Sequence, residues 1–205
     1  MMKKLTMLLL VLACGVLATC GEEASSDCAP ISYDPLNQDP TREPLCYLDN
    51  DDCDGGDWVT IQSVYDGDTV TLPDGTKLRM LGIQAPEQPE GADKEHPELN
   101  PETCLGPEAG AFLRKLIEGK QVCVRDPEGG PQNDPYGRRL VYIYDGGFNI
   151  NMYMVASGHA CAFDKYAEPL CLNLLKTAED EAEGFGVGIW GLCADLHGDP
   201  CQRAE

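Results

Sequence analysis

The stretch VYDGDTVTLPDGTKLRMLGIQAPE, residues 64–87, constrains the fold more than any other. Two alternating runs, 62–72 and 77–83, flank Pro73-Asp74-Gly75-Thr76, a proline-led turn with a glycine where a positive φ is cheap. The spacing predicts a β-hairpin paired symmetrically about that turn, with Leu72 facing Lys77, Val70 facing Arg79 and Asp68 facing Leu81. In that register Asp68 and Arg79 are diagonal neighbours on one side of the sheet, roughly 7–8 Å apart at Cα. Asp66 faces Ile83, and the chain beyond brings Glu87 back to the same end. Carboxylates and a guanidinium are thereby gathered at one place.

Further along, the apolar positions Ala109, Phe112, Leu113, Leu116 and Ile117 predict an amphipathic helix over 106–118, ended by Gly119. Residues 121–125 and 140–144 alternate as strands, separated by a turn-rich loop, 126–139, that contains Asp134-Pro135-Tyr136-Gly137-Arg138. A short helix is expected over 150–157 with Gly158 as its cap, and a longer one over 170–183 before Gly184, Gly186 and Gly188. Trp190 is expected to pin the end of that helix against a barrel. Short strands with inserted helices in a domain of this size imply a small curled sheet or partly closed barrel.

The ends of the chain read differently. Residues 1–19 combine a basic start with an apolar run too short to span a membrane, which reads as an export signal. Leu17-Ala18-Thr19-Cys20 is similar to a lipoprotein processing site, with Cys20 the residue that would be acylated, and Val16-Leu17-Ala18 suits ordinary cleavage. Residues 20–57 read as an acidic, cysteine-containing tether, 58–190 as the globular domain, and 191–205 as a tail in which Cys193 and Cys201 offer staples. Residues 49–57 resemble a fragment of a calcium loop but lack its terminal glutamate, and a solvated linker is the plainer reading.

Of 11 cysteines, all but Cys14 lie beyond the signal, a density suited to an oxidising compartment and a disulfide framework. The three histidines, His96, His159 and His197, are scattered, which argues against histidine-based metal or nucleophile chemistry. The formal net charge of -20 opposes polyanions at long range, so any phosphate chemistry must rest on a local basic patch.

The residues that supply such a patch are present. Asp68 is a hard oxygen ligand suited to calcium or magnesium. Glu87 suits a general base or a group that orients water. Arg79 and Arg138 are permanently charged forks matched to phosphate oxygens, and Tyr136 beside Arg138 offers a ring to a nucleotide. Singly, each has a bland counterpart: a turn, a solvated strand face, an ordinary loop.

Together, Asp66-Gly67-Asp68-Thr69, the run from Arg79 through Gln84-Ala85-Pro86-Glu87, Gly106-Pro107-Glu108-Ala109, Asp134-Pro135-Tyr136-Gly137-Arg138 and Gly188-Ile189-Trp190 resemble the staphylococcal nuclease-like, or thermonuclease, family. The resemblance covers about 58–190. It implies an α+β, mainly β fold: an OB-fold, five-stranded Greek-key barrel with about three helices. It also implies calcium-dependent endonucleolytic hydrolysis of single-stranded or denatured DNA and RNA by attack of water, magnesium or another divalent cation being the other candidates. By position, Arg79, Glu87 and Arg138 match the family's catalytic residues, Asp68 a direct metal ligand, Asp66 an acidic neighbour, and Tyr136 a substrate contact. Tyr166 matches a second substrate tyrosine, and Gln84 stands where the reference nuclease has its second metal carboxylate. Loss of that charge implies weaker or altered metal binding. Pro135 and the acidic loop 90–102 replace basic residues, which implies weaker substrate binding with a shallower salt dependence.

The expectation is therefore an exported, lipid-anchored or freely secreted, metal-dependent nuclease. The alternatives are a catalytically weak or inactive nuclease-like binding module at the cell envelope, and a disulfide-stapled structural protein.

Overall fold

Short β-branched runs interrupted by Gly, Asp and Pro yield short strands, and the three longer apolar periodicities yield helices. The computed structural model describes residues 53–89, 104–129, 132–165, 167 and 169–194, all within one unit, 39–205. In chain order the described elements are β1 (Asp57–Thr60), β2 (Ser63–Val64), β3 (Thr69–Thr71), β4 (Lys77–Met80), β5 (Ile83–Gln84), α1 (Gly106–Ile117), β6 (Gln121–Arg125), β7 (Arg139–Asp145), β8 (Phe148–Asn149), α2 (Ile150–Ala156), β9 (Cys161–Ala162), α3 (Pro169–Gly184) and α4 (Ile189–Leu192). No described helix is long and apolar enough to cross a membrane. The export-signal and lipidation readings at 1–19 and Cys20, and the tail's Cys201, lie outside the described residues.

The strands run β1-β6-β7-β4-β3-β2, with β8 added beside β7 and β5 paired with β9. β1 and β2 are two parts of one run: between them Ile61 N donates to Lys120 O and Gln62 N to Thr71 O. Residues 57–64 thus pair with β6 at one end and with β3 at the other, which closes the circuit. The result is the five-stranded OB-fold barrel, made of the β1–β2 run, β3, β4, β7 and β6. β4 and β7 run parallel. Its interior is filled by fully buried Ile61, Val70, Leu78, Val122, Val124, Val141 and Ile143.

The opening hairpin departs from its expected form in two ways. The run 62–72 is two strands, because the chain folds back through Asp66-Gly67-Asp68 and β2 pairs with β3. Asp68 N donates to Asp66 Oδ1 at 3.0 Å and Tyr65 N to Thr69 O, so a side-chain turn replaces strand at that point. The second difference is register: Thr69 faces Arg79, Val70 faces Leu78 and Thr71 faces Lys77, one residue off the symmetric pairing. Leu72 N bonds Thr76 O across a three-residue loop, with Gly75 at φ 88 in the left-handed position that such loops require. The observed register puts Val70 and Leu78 together in the core, and burial of that pair selects it.

Three buried polar side chains pin the helices to the barrel. Asn149 caps α2 by accepting from Met152 N. Asn151 donates from Nδ2 to Leu81 O at 2.8 Å and accepts from Ile143 N at 3.0 Å. Glu179 of α3 accepts from Ala162 N at 3.0 Å. Disulfides add Cys53–Cys123, which ties the chain before β1 to β6, and Cys104–Cys193, which ties the start of α1 to the end of α4. Cys161 and Cys171 are disulfide-bonded as well. Trp190 packs on the buried cluster of Cys104, Cys161, Ile189 and Cys193, beside that second bridge.

Candidate active site

The turn between β2 and β3, the end of β4 with the chain after it, and the loop before β7 surround one cleft of about 570 Å³. It is lined by Asp66, Asp68, Arg79, Gln84, Glu87, Tyr136 and Arg138, seven of the expected site residues, together with Tyr65 and Asp134. Tyr166 lies outside the described residues.

A connected set of polar contacts runs through these groups. Arg79 Nη2 meets Asp68 Oδ2 at 3.0 Å, both side chains being buried, so the expected diagonal neighbours form a direct ion pair. Arg79 Nη1 donates to Met80 O at 2.7 Å and Ile83 O at 3.0 Å, which fixes the guanidinium against the turn that follows β4. Its Nη2 also donates to Gln84 Oε1 at 2.6 Å, and Gln84 Nε2 in turn donates to Glu87 Oε1 at 3.4 Å. On the other side of Asp68, Thr69 donates from Oγ1 to Asp68 Oδ1 at 3.0 Å and accepts from Arg138 Nη1 at 3.3 Å.

Asp134 organises the second arginine. It is buried, and it accepts from Tyr136 N, Arg138 N and Arg138 Nε at 2.9, 2.9 and 2.7 Å. Burial acts to raise its carboxyl, but the hydrogen bonds and charge of Arg138 outweigh that effect and hold it below the usual carboxylate range. Sequence reasoning left Asp134 without a role. The signal was there: Asp at the start of a turn that continues Pro-Tyr-Gly is a standard acceptor for the backbone it precedes. Tyr136 stands 85% exposed with the Arg138 guanidinium 5.5 Å from its ring centroid.

Glu87 reaches the cleft through α1. The helix starts with Gly106 because a Cβ there would collide with the Glu87 carbonyl oxygen, and Gln88 Nε2 donates to Gly106 O at 2.9 Å. The Gly106-Pro107-Glu108-Ala109 motif is therefore the seat on which the Glu87 loop rests.

The acidic side of the cleft suits a hard divalent cation. Burial, and then the neighbouring Asp68 charge, push the Asp66 carboxyl up to about 7. Asp66 and Asp68 are buried carboxylates two residues apart, and the amide oxygen of Gln84 lines the same cleft, so the hard donors on this side are all oxygens. A cation there would relieve the repulsion between Asp66 and Asp68. No group of three acidic, His or Cys side chains already gathered as a metal site occurs among the described residues.

Fold and cleft together define the class, an α+β OB-fold domain with a carboxylate–arginine site on its barrel. A family model described as staphylococcal nuclease homologue matches residues 77–191, and the chain belongs to that family. It is 30% identical over 150 residues to an uncharacterized endonuclease of Haemophilus influenzae, covering 71% of this chain and 72% of that protein. It is 28% identical over 146 residues to the thermonuclease of Staphylococcus intermedius, covering 66% of this chain and 77% of the relative. An uncharacterized protein of Bacillus anthracis is 30% identical over 130 residues, of which the chain spans 58%.

Proposed function

We propose that the chain is an exported, metal-dependent nuclease that hydrolyses phosphodiester bonds of single-stranded or denatured DNA and RNA, with calcium as its cation. The observation that carries this reading is the unbroken line of contacts from Asp134 through Arg138, Thr69, Asp68, Arg79 and Gln84 to Glu87 along one cleft. Relatives named endonuclease and thermonuclease support the same chemistry. The disulfides support folding in an oxidising compartment, and a lipid anchor at Cys20 would hold the enzyme at a membrane.

In the proposed reaction Glu87 takes a proton from, and orients, a water that attacks phosphorus; the bond from phosphorus to the leaving ester oxygen breaks in line, that oxygen takes a proton from solvent, and Glu87 returns its own to solvent. Arg79 and Arg138 hold the phosphate oxygens and stabilise the charge that grows on them. Tyr136 stacks beside the nucleotide. Asp66, Asp68 and Gln84 would hold the divalent cation, which supplies positive charge against the phosphate. Asp134 keeps Arg138 aimed.

The arginine variants test these roles. Arg138→Ala should lower kcat on denatured DNA by about 10²–10³-fold, the usual loss on removing one donor to a developing anion. Retention of kcat with only KM raised would reduce Arg138 to a binding group. An Arg138→Ala protein as active as the parent would contradict the reading.

A further inference from the structure

The β2–β3 turn carries an aromatic side chain that the proposed reaction leaves unused. Tyr65 lines the cleft next to Asp66, yet it stands 62% exposed. Its backbone is fixed by the bond from Tyr65 N to Thr69 O at 2.9 Å, and Lys77 Nζ lies over its ring, 5.4 Å from the centroid. Lys77 itself is exposed and faces Thr71 across the β3–β4 ladder.

The sheet order places this pair. Reading β7-β4-β3-β2, Tyr136 and Arg138 precede β7 at one side and Tyr65 follows β2 at the other. Arg79 on β4 and the Thr69 start of β3 lie between them. Three strand spacings separate the two tyrosines' strands, roughly 14 Å at about 4.8 Å each. An exposed ring with an ammonium beside it presents what one unpaired nucleotide needs, a stacking surface and a charge for its phosphate. In a chain of net charge -20, a cation held at the margin of the cleft is also where a polyanion would be drawn in.

We propose that Tyr65 and Lys77 form a second nucleotide subsite, across the cleft from Tyr136, that takes one unstacked base and its phosphate from a single-stranded nucleic acid. The subsite rests on the reading of the cleft as a nucleic-acid site. It extends the substrate beyond the scissile bond and favours single strands, because a paired base cannot turn out onto the ring without unstacking.

The test uses the Glu87→Gln chain, which removes the proposed base, and fluorescence anisotropy with a labelled oligodeoxythymidine and with the same strand in a duplex. Tyr65→Ala should weaken single-strand binding about tenfold or more and duplex binding less than twofold, while Tyr65→Phe stays within twofold of the parent. Lys77→Gln should reduce the slope of log affinity against log salt by about 0.7 for the single strand. Tight binding that Tyr65→Ala leaves unchanged would overturn the subsite and leave the cleft's function standing. Failure of the Glu87→Gln parent to bind either oligonucleotide would overturn both.

Discussion

Arg79 and Asp68 are the pair on which the rest of the site leans, and their burial sets the cost of losing one. Arg79→Ala strands the Asp68 carboxylate in a dry position, so urea unfolding should show a loss of about 3–5 kcal/mol. A loss below 1 kcal/mol would show that water reaches Asp68 freely. Gln84 makes a second case. Gln84→Asp adds charge to the proposed cation site and should lower the calcium concentration for half-maximal hydrolysis on the order of tenfold; an unchanged or raised value would remove position 84 from that proposed site. His159 supplies a pH dependence. Burial lowers its pKa below 6.5, opposed by Ser157 and Glu108, and its ring stacks on Phe112 at 4.0 Å. A depressed folded value means that its stabilisation is fully present above pH 6.5 and is lost as pH falls through the lower value. Melting temperature should therefore drop between pH 7.5 and 5.5 more steeply in the parent than in His159→Gln. Equal slopes would place that titration elsewhere. Residue chemistry was the most legible layer, since charged forks and carboxylates announce themselves by type. Asp134 escaped because its function is to hold another residue, which shows only when the loop is folded round it.

At the scale of elements, helix α1 and both strands around the Asp134 loop follow the sequence periodicity within a residue or two. The hairpin register departs from the symmetric turn, which would set Val70 against Arg79; the apolar alternation matches Val70 with Leu78, and the three-residue loop with Gly75 in the left-handed position accommodates that pairing. The fold-back at Asp66-Gly67-Asp68 was hidden for a related reason: the run reads as continuous alternation unless Asp66 is seen to bond Asp68 N. Contacts between elements carry function as well. Gly106→Ala forces the Glu87 loop off the end of α1. It should cost about 1–3 kcal/mol in stability and, by misplacing Glu87 on the scale of an ångström, about 10²-fold in kcat. Full activity with an unchanged melting curve would show that the Glu87 loop does not depend on this seat.

The whole molecule is an acidic chain whose cleft sets two arginines among carboxylates, and long-range bridges fasten it. Cys53–Cys123 and Cys104–Cys193 close loops of 70 and 89 residues. By chain entropy each should contribute about 4 kcal/mol. Thermal unfolding with and without reductant should show a matching loss, and a reductant-insensitive melt would assign stability to the barrel core alone. The cleft is proposed to cut phosphodiesters with help from a cation and Glu87. The most direct measurement is hydrolysis of denatured DNA by the oxidised protein, titrated with calcium and separately with magnesium, with Glu87→Gln run in parallel. Cutting should rise with metal, vanish with chelator and fall about 10²–10⁴-fold in the variant. No cutting by a folded parent at any metal concentration, or equal cutting by both proteins, would contradict it and leave a nuclease-like barrel that binds without catalysis.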